Sequence, residues 1–205
     1  MRAKICGITN LDDALLATQH GAWALGFNLY RGSPRYIPPN KIKKIIQHIP
    51  ENIIKIGIFI DSPAPDIIKL MSDIDLDYAQ IYEPKFNNLD NDFKFILGLN
   101  LNSDLELPSE TVLRSYHAIL VDAPKMSDLK LGGTGRLANW DLAKKLAMKY
   151  KLILAGGLTP ENVNQAIQYV KPYAVDVASG IEYSLGIKNP ILLKQFLSGG
   201  KDDNI

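Results

Sequence analysis

The chain holds a single cysteine, Cys6, at the end of the short apolar run "AKIC" and directly before Gly7. A thiolate is a competent base, and the thiol becomes one only when its surroundings favour ionisation. Lys4 stands two residues earlier. On a strand, residues two apart share a face roughly 7 Å apart, so an ammonium at position 4 would favour a thiolate at position 6. Two plainer readings stay open: Cys6 as a small buried hydrophobe, and Lys4 with its head in solvent at the far end of the strand. A second candidate, Asp122, follows the apolar run "AILV" and precedes Ala123-Pro124. It serves there either as a turn former or, if partly desolvated, as a carboxyl that keeps its proton and acts as an acid. Asp176 lies between Val175 and Val177. If the valines face outward, its carboxylate faces inward, where a buried charge needs partners.

Two further segments suit anions. "AGGLTPEN" carries Gly156-Gly157 and "ASGIE" carries Ser179-Gly180. Such turns can aim backbone N–H groups at a phosphate, although tight turns alone would explain the glycines. Arg31 and Arg35 sit among the turn formers of "YRGSPRYIPP", and a guanidinium can grip a carboxylate with two parallel hydrogen bonds.

These residues have chemical meaning only if the fold gathers them. Eight short apolar runs recur along the chain: "AKIC", "AWALGFNLY", "IIKIGIFI", "YAQIY", "FILGLNL", "AILVD", "KLILA" and "AVDVA". Several are apolar on both faces, as a parallel strand covered on both sides must be. Segments of helical period lie between them, with apolar residues at Ile42, Ile45, Ile46 and Ile49, at Ile67, Leu70, Met71 and Ile74, and at Val163, Ala166, Ile167 and Val170. Thr159-Pro160 reads as a helix cap with Pro at the first helical position, and Thr9 with Asp12 has the capping-box spacing. The stretches 83–92 and 102–116 carry weak helical signals, so the helices after strands 4 and 5 are expected to be short or irregular. Strands and helices alternating in this number imply a (β/α)₈ (TIM) barrel, one compact α/β domain over residues 1–198 with a frayed tail at 199–205. An open doubly wound sheet is the alternative, usually with fewer strands.

In such a barrel, active groups occupy the C-terminal ends of the strands, and phosphate commonly binds the loops after strands 7 and 8. Cys6, Asp122, Gly156-Gly157 and Ser179-Gly180 all fall at those positions. Of the three histidines, His20 and His48 fall in or near helices, and His117 precedes strand 6 at the opposite face. An acid–base enzyme built this way would not use histidine as its base, which adds weight to Cys6 as a candidate.

Composition narrows the function classes. At 205 residues, 46% hydrophobic and 22% charged, with net charge +1, the chain reads as an ordinary globular protein without general affinity for nucleic acid or anionic membrane. A lone thiol forms no intrachain disulfide, and the start of the chain shows no signal peptide, so a cytoplasmic location is expected. No apolar run approaches the ~20 residues of a membrane span.

Taken together, "KICGIT", "ALGFNLYRGSPRYI", "LVDAP", "GGTG", "LAGGLTPENV" and "VDVASGIE" resemble the phosphoribosylanthranilate isomerase family of tryptophan biosynthesis, in order and over nearly the whole chain. The resemblance implies a barrel without metal or organic cofactor, acting on a small phosphorylated substrate. It implies an Amadori rearrangement of N-(5-phosphoribosyl)anthranilate to 1-(2-carboxyphenylamino)-1-deoxyribulose 5-phosphate. By the same likeness Cys6 is the general base, Asp122 the general acid, and Arg35 the anchor of the anthranilate carboxylate. Gly156, Gly157, Ser179 and Gly180 would hold the phosphate, and Lys4, Gln80 and Asp176 complete the substrate-binding set. Monomer and homodimer are both compatible.

The chain departs from the family pattern twice. Where the family often has Gln-Leu-His-Gly after strand 4, it has Gln80-Ile81-Tyr82-Glu83. Where Phe-Asp-Trp usually follows GGTG, it has Ala138-Asn139-Trp140. A related phosphate-binding barrel such as indole-3-glycerol-phosphate synthase is one alternative, although strand 3 ends in Asp61 without a lysine there. A non-catalytic binder of phosphorylated ligands is another, and the joint presence of Cys6, Asp122 and Arg35 argues against it.

Overall fold

The computed structural model describes residues 1–82, 94–100, 107–122 and 139–199. Eight parallel strands close into one barrel in sequence order: β1 (Ala3–Cys6), β2 (Ala24–Asn28), β3 (Ile54–Phe59), β4 (Tyr78–Ile81), β5 (Phe95–Asn100), β6 (Ala118–Asp122), β7 (Leu152–Leu154) and β8 (Ala174–Val177). Each lies inside one of the eight apolar runs. β1 closes the ring by pairing with both β2 and β8, and Lys4 stands opposite Ala24 on one side and Asp176 on the other. The open-sheet alternative is thereby set aside.

The double-sided apolar pattern has a direct cause. Successive side chains on a strand point to opposite faces, and the two faces meet different cores. Inside the barrel lie Ala24, Ile56, Ile96, Leu120, Ile153 and Ala174. Outside, Leu25, Phe27, Leu97, Ile119 and Val175 pack under the helices. Among the described residues these helices are α1 (Leu11–Gln19), α2 (Pro39–Ile46), α3 (Ala64–Asp73), α4 (Glu110–Arg114), α5 (Trp140–Ala147), α6 (Val163–Val170) and α7 (Pro190–Leu197). Their apolar stripes are buried against the barrel through Ile42, Ile67, Val163 and Phe196, among others. No described helix is long and apolar enough to cross a membrane.

Two caps differ from expectation. α1 is capped by Asn10, whose side chain accepts from the Asp13 N–H and donates to the Asp13 carboxylate, both at 2.8 Å. The box is shifted by one residue from Thr9 and Asp12, because Thr9 is drawn away to donate to the Gly186 carbonyl. At α6 the helix begins at Val163 after Asn162. Thr159-Pro160 instead forms a preceding turn, with the Thr159 carbonyl accepting from the Asn162 and Val163 N–H groups. The helix after β5 is short, five residues capped by Ser109. Those expected after β4 (83–92), the "GGTG" segment, Ala123-Pro124, Glu83, Ala138 and the tail from 200 lie outside the described residues. Asn139 caps α5 by accepting from the Leu142 N–H at 3.1 Å, a task suited equally to the aspartate of the family pattern.

No periodicity marks the fold of the segment between β8 and α7. It forms a 3₁₀ turn, Ser179–Ile181, and then an antiparallel hairpin of β9 (Glu182–Ser184) and β10 (Ile187–Lys188).

Candidate active site

A pocket opens at the C-terminal ends of the strands. Cys6, Asn28, Gln80, Tyr82, Asp122 and Asp176 line it, and Arg35 and the glycine loops complete its wall. Every expected site residue faces this pocket except Lys4, which lies beneath it. Arg31 is exposed and stays outside.

Lys4 resolves the ambiguity of its direction. Its ammonium does not reach solvent: it is fully buried, 3.0 Å from an Asp176 carboxylate oxygen, 2.8 Å from the Gln80 side-chain carbonyl oxygen and 3.5 Å from the Cys6 sulfur. Strand register brings this about, since Lys4 is the partner of Asp176 across the β1–β8 pair. Gly26, the partner of Cys6 on β2, leaves the room, because a Cβ there would stand 3.0 Å from both the Cys6 sulfur and the Lys4 Cε. The contact with Asp176 Oδ1 is one of charge, without an aligned hydrogen bond.

The electrostatics follow. Burial alone would push the Lys4 ammonium down, but the Asp176 carboxylate and Cys6 outweigh it and the net shift is upward. Lys4 is thus a fixed cation. Burial pushes the Cys6 thiol up, the Lys4 charge pulls it down, Asp176 pushes it up again and Lys188 pulls it down. The net shift is upward, which corrects the expectation that a neighbouring lysine would leave the thiol below its ordinary value. The lysine is present and acts in the expected sense, but desolvation exceeds it.

Arg35 is placed by the loop after β2. The Ile37 N–H returns to the Asn28 carbonyl at 3.0 Å, and the Ser33 hydroxyl accepts from the Arg35 N–H at 3.1 Å. The residue is 5% exposed, and its Nε and Nη2 donate to the two Glu182 oxygens at 2.7 and 2.6 Å. Gly7, at φ +72°, lies directly under it, since a Cβ there would meet the Arg35 Cδ at 2.5 Å. Glu182 also accepts from Lys188 at 3.1 Å. Lys188 in turn donates to the carbonyls of Cys6 at 2.6 Å and Ala178 at 3.2 Å, tying the ends of β1 and β8 together. Burial would raise the Glu182 carboxyl, but Arg35 and Lys188 outweigh it and hold it low. Sequence reasoning missed Asn28, Gly26, Glu182 and Lys188, and marked Tyr82 only as a departure from the family pattern. Glu182 was visible as the end of "VDVASGIE", whereas Lys188 carried no signal.

The two glycine-bearing turns form one cradle. Gly156 and Gly157 have φ of +87° and +65°, which a side chain would resist. Among the described residues, neither amide donates to a backbone carbonyl. Asn162 clamps the first turn, accepting from the Thr159 N–H and donating to the Gly157 carbonyl, both at 2.9 Å. Gly180 packs so tightly on this turn that a Cβ would fall 1.9 Å from the Leu158 carbonyl oxygen. Among the described residues no three His, Cys, Asp or Glu side chains are grouped as a metal would require.

Comparison with known proteins agrees with this geometry. The family model described as N-(5'phosphoribosyl)anthranilate (PRA) isomerase matches residues 3–199. The chain is 39% identical over 203 residues to the N-(5'-phosphoribosyl)anthranilate isomerase of Marinomonas sp., covering 98% of each. It superposes on the crystal structure of phosphoribosyl anthranilate isomerase from Thermus thermophilus with a TM-score of 0.82 at 34% identity, covering 97% of this chain and 98% of that one. A phosphoribosyl anthranilate isomerase crystallised with reduced 1-(o-carboxyphenylamino)-1-deoxyribulose 5-phosphate gives a TM-score of 0.78 at 30% identity over 98% of both chains. A closed eight-stranded barrel, a mouth built from the expected residues and near-complete coverage converge, and the chain belongs to the N-(5'-phosphoribosyl)anthranilate isomerase family.

Proposed function

We propose that the chain converts N-(5-phosphoribosyl)anthranilate to 1-(2-carboxyphenylamino)-1-deoxyribulose 5-phosphate in tryptophan biosynthesis, with Cys6 as base and Asp122 as acid. The observation that carries the assignment of roles is that Cys6 and Asp122, from the ends of β1 and β6, face one pocket walled by Arg35 and both glycine turns. Asp122 gives its proton to the ribose ring oxygen as the C1–O bond breaks, and the nitrogen lone pair forms the C1=N iminium. The iminium makes the C2 proton acidic. The Cys6 thiolate removes it, and the C–H electron pair becomes C1=C2 while the iminium pair returns to nitrogen. The resulting enolamine tautomerises, gaining a proton at C1 and losing the one on the C2 oxygen, to give the ketone. C1 is reduced as C2 is oxidised, so no external redox partner is needed.

The remaining groups bind and orient. The Gly156-Gly157 and Ser179-Gly180 cradle takes the phosphate. Arg35 takes the anthranilate carboxylate with the N–H groups not engaged by Glu182, since a guanidinium has five and Glu182 takes two. Asp176, on the pocket wall, favours the cationic iminium, and Lys4 and Gln80 hold that wall. Anchors at both ends of the substrate fix C2 against the thiol, the entropic part of the catalysis. A working thiol suits a reducing compartment, the cytoplasm. The test is turnover: the purified chain, given N-(5-phosphoribosyl)anthranilate, should form the ketone, whereas binding without conversion would favour a non-catalytic phosphate binder.

A further inference from the structure

Tyr82 stands where the family pattern has histidine, and the hydrogen-bond chain beneath it fixes its direction. An ammonium only donates. Because Lys4 donates to the Gln80 oxygen at 2.8 Å, the Gln80 amide is oriented without ambiguity and its nitrogen donates to the Tyr82 hydroxyl at 2.9 Å. The Tyr82 oxygen is therefore an acceptor on this side, and its own O–H turns away from Gln80. The ring's course gives the other end. A Cβ on Gly98 of β5 would stand 2.8 Å from both Cδ1 and Cε1 of Tyr82, so the ring lies across the β5 backbone. β5 separates β4 from β6 in the barrel, and Asp122 ends β6 and lines the same pocket as Tyr82.

We propose that Tyr82 is a positioning residue for the general acid: its hydroxyl, aimed by the Lys4–Gln80 chain, donates toward Asp122, holding that carboxyl for proton transfer and stabilising the carboxylate left behind. The chain Lys4–Gln80–Tyr82 then joins the base side of the mouth to the acid side, since Lys4 also contacts Cys6. Burial, followed by the charges of Asp122, Cys6 and Asp176, pushes the phenol well above its ordinary value, so it stays a neutral donor. A histidine here would instead titrate near neutrality. The inference rests on Asp122 being the acid.

The experiment compares Tyr82→Phe and Tyr82→His, with Tyr82→Phe also made in the Asp122→Asn background, by kcat, KM and the pH dependence of kcat/KM. Tyr82→Phe should lower kcat roughly 10- to 100-fold, the loss of a hydrogen bond to a charged group, and leave KM nearly unchanged. The inflection set by Asp122, which Asp122→Asn lacks, should move to higher pH, because the carboxylate has lost a donor. The inflection set by Cys6 should stay. Tyr82→His should recover much of kcat and add a new inflection near the ordinary histidine value of about 6.5. In the Asp122→Asn background Tyr82→Phe should cost little further, since residues acting as a unit are non-additive. An unmoved Asp122 inflection with unchanged kcat, or a full cost in the Asp122→Asn background, overturns the role of Tyr82 alone. Near-normal turnover in Asp122→Asn overturns the acid assignment and this inference with it. If Tyr82→Phe fails to fold, the pH profile of Tyr82→His decides: absence of the new inflection contradicts the proposal.

Discussion

Cys6 is held between opposed influences. The Lys4 ammonium, 3.5 Å from the sulfur, favours the thiolate, while burial and the Asp176 carboxylate oppose it, and opposition prevails. Thiolate therefore accumulates only as pH climbs through a value above the ordinary ~8.5 of a free thiol. The sign for stability is the same: a raised thiol contributes fully below its unfolded value and loses that contribution as pH rises through the folded one. Lys4→Met should push the thiol further up and leave Asp176 buried without its ion pair. Breaking such a pair costs about 3–5 kcal/mol. The rate of Cys6 alkylation by iodoacetamide against pH reads the first effect and thermal unfolding the second. A midpoint that does not move to higher pH in Lys4→Met would show that the lysine does not act on the thiol.

The two glycine turns illustrate how elements depend on one another. Their pairing requires Gly180, since the nearest atom to an added Cβ is a backbone oxygen at 1.9 Å, which no rotamer change can clear. Gly180→Ala should lower stability by about 1–3 kcal/mol, as overpacking does. It should also raise KM more than it lowers kcat, because the distorted part is the proposed phosphate cradle and the proposed acid and base lie elsewhere. Thermal unfolding and steady-state kinetics on one preparation check both effects, and an unchanged KM would detach these turns from the substrate. The same scale shows what local sequence conceals. Thr9 and Thr159 were reasonable caps by spacing. Asn10 and Asn162 took those places because Thr9 is engaged with Gly186 of the distant hairpin and Thr159 closes a turn of its own.

For the whole molecule, the barrel was legible because each strand must be apolar toward two cores, and eight short runs of that kind leave few architectures. The catalytic candidates were legible because they end strands. The networks that hold them were not, because their members are joined only by closure of the ring. Lys4 finds Asp176 across the β1–β8 seam, and Arg35 finds Glu182, and through it Lys188, in a hairpin that no periodicity announced. The central claim, that Cys6 and Asp122 move the protons of this isomerisation, is tested most directly by turnover of N-(5-phosphoribosyl)anthranilate by Cys6→Ser and Asp122→Asn beside the unaltered chain. Each substitution should lower kcat by roughly 10²- to 10⁴-fold, the share typical of a positioned acid or base, with the fold intact by circular dichroism. Near-normal turnover in either variant would contradict it.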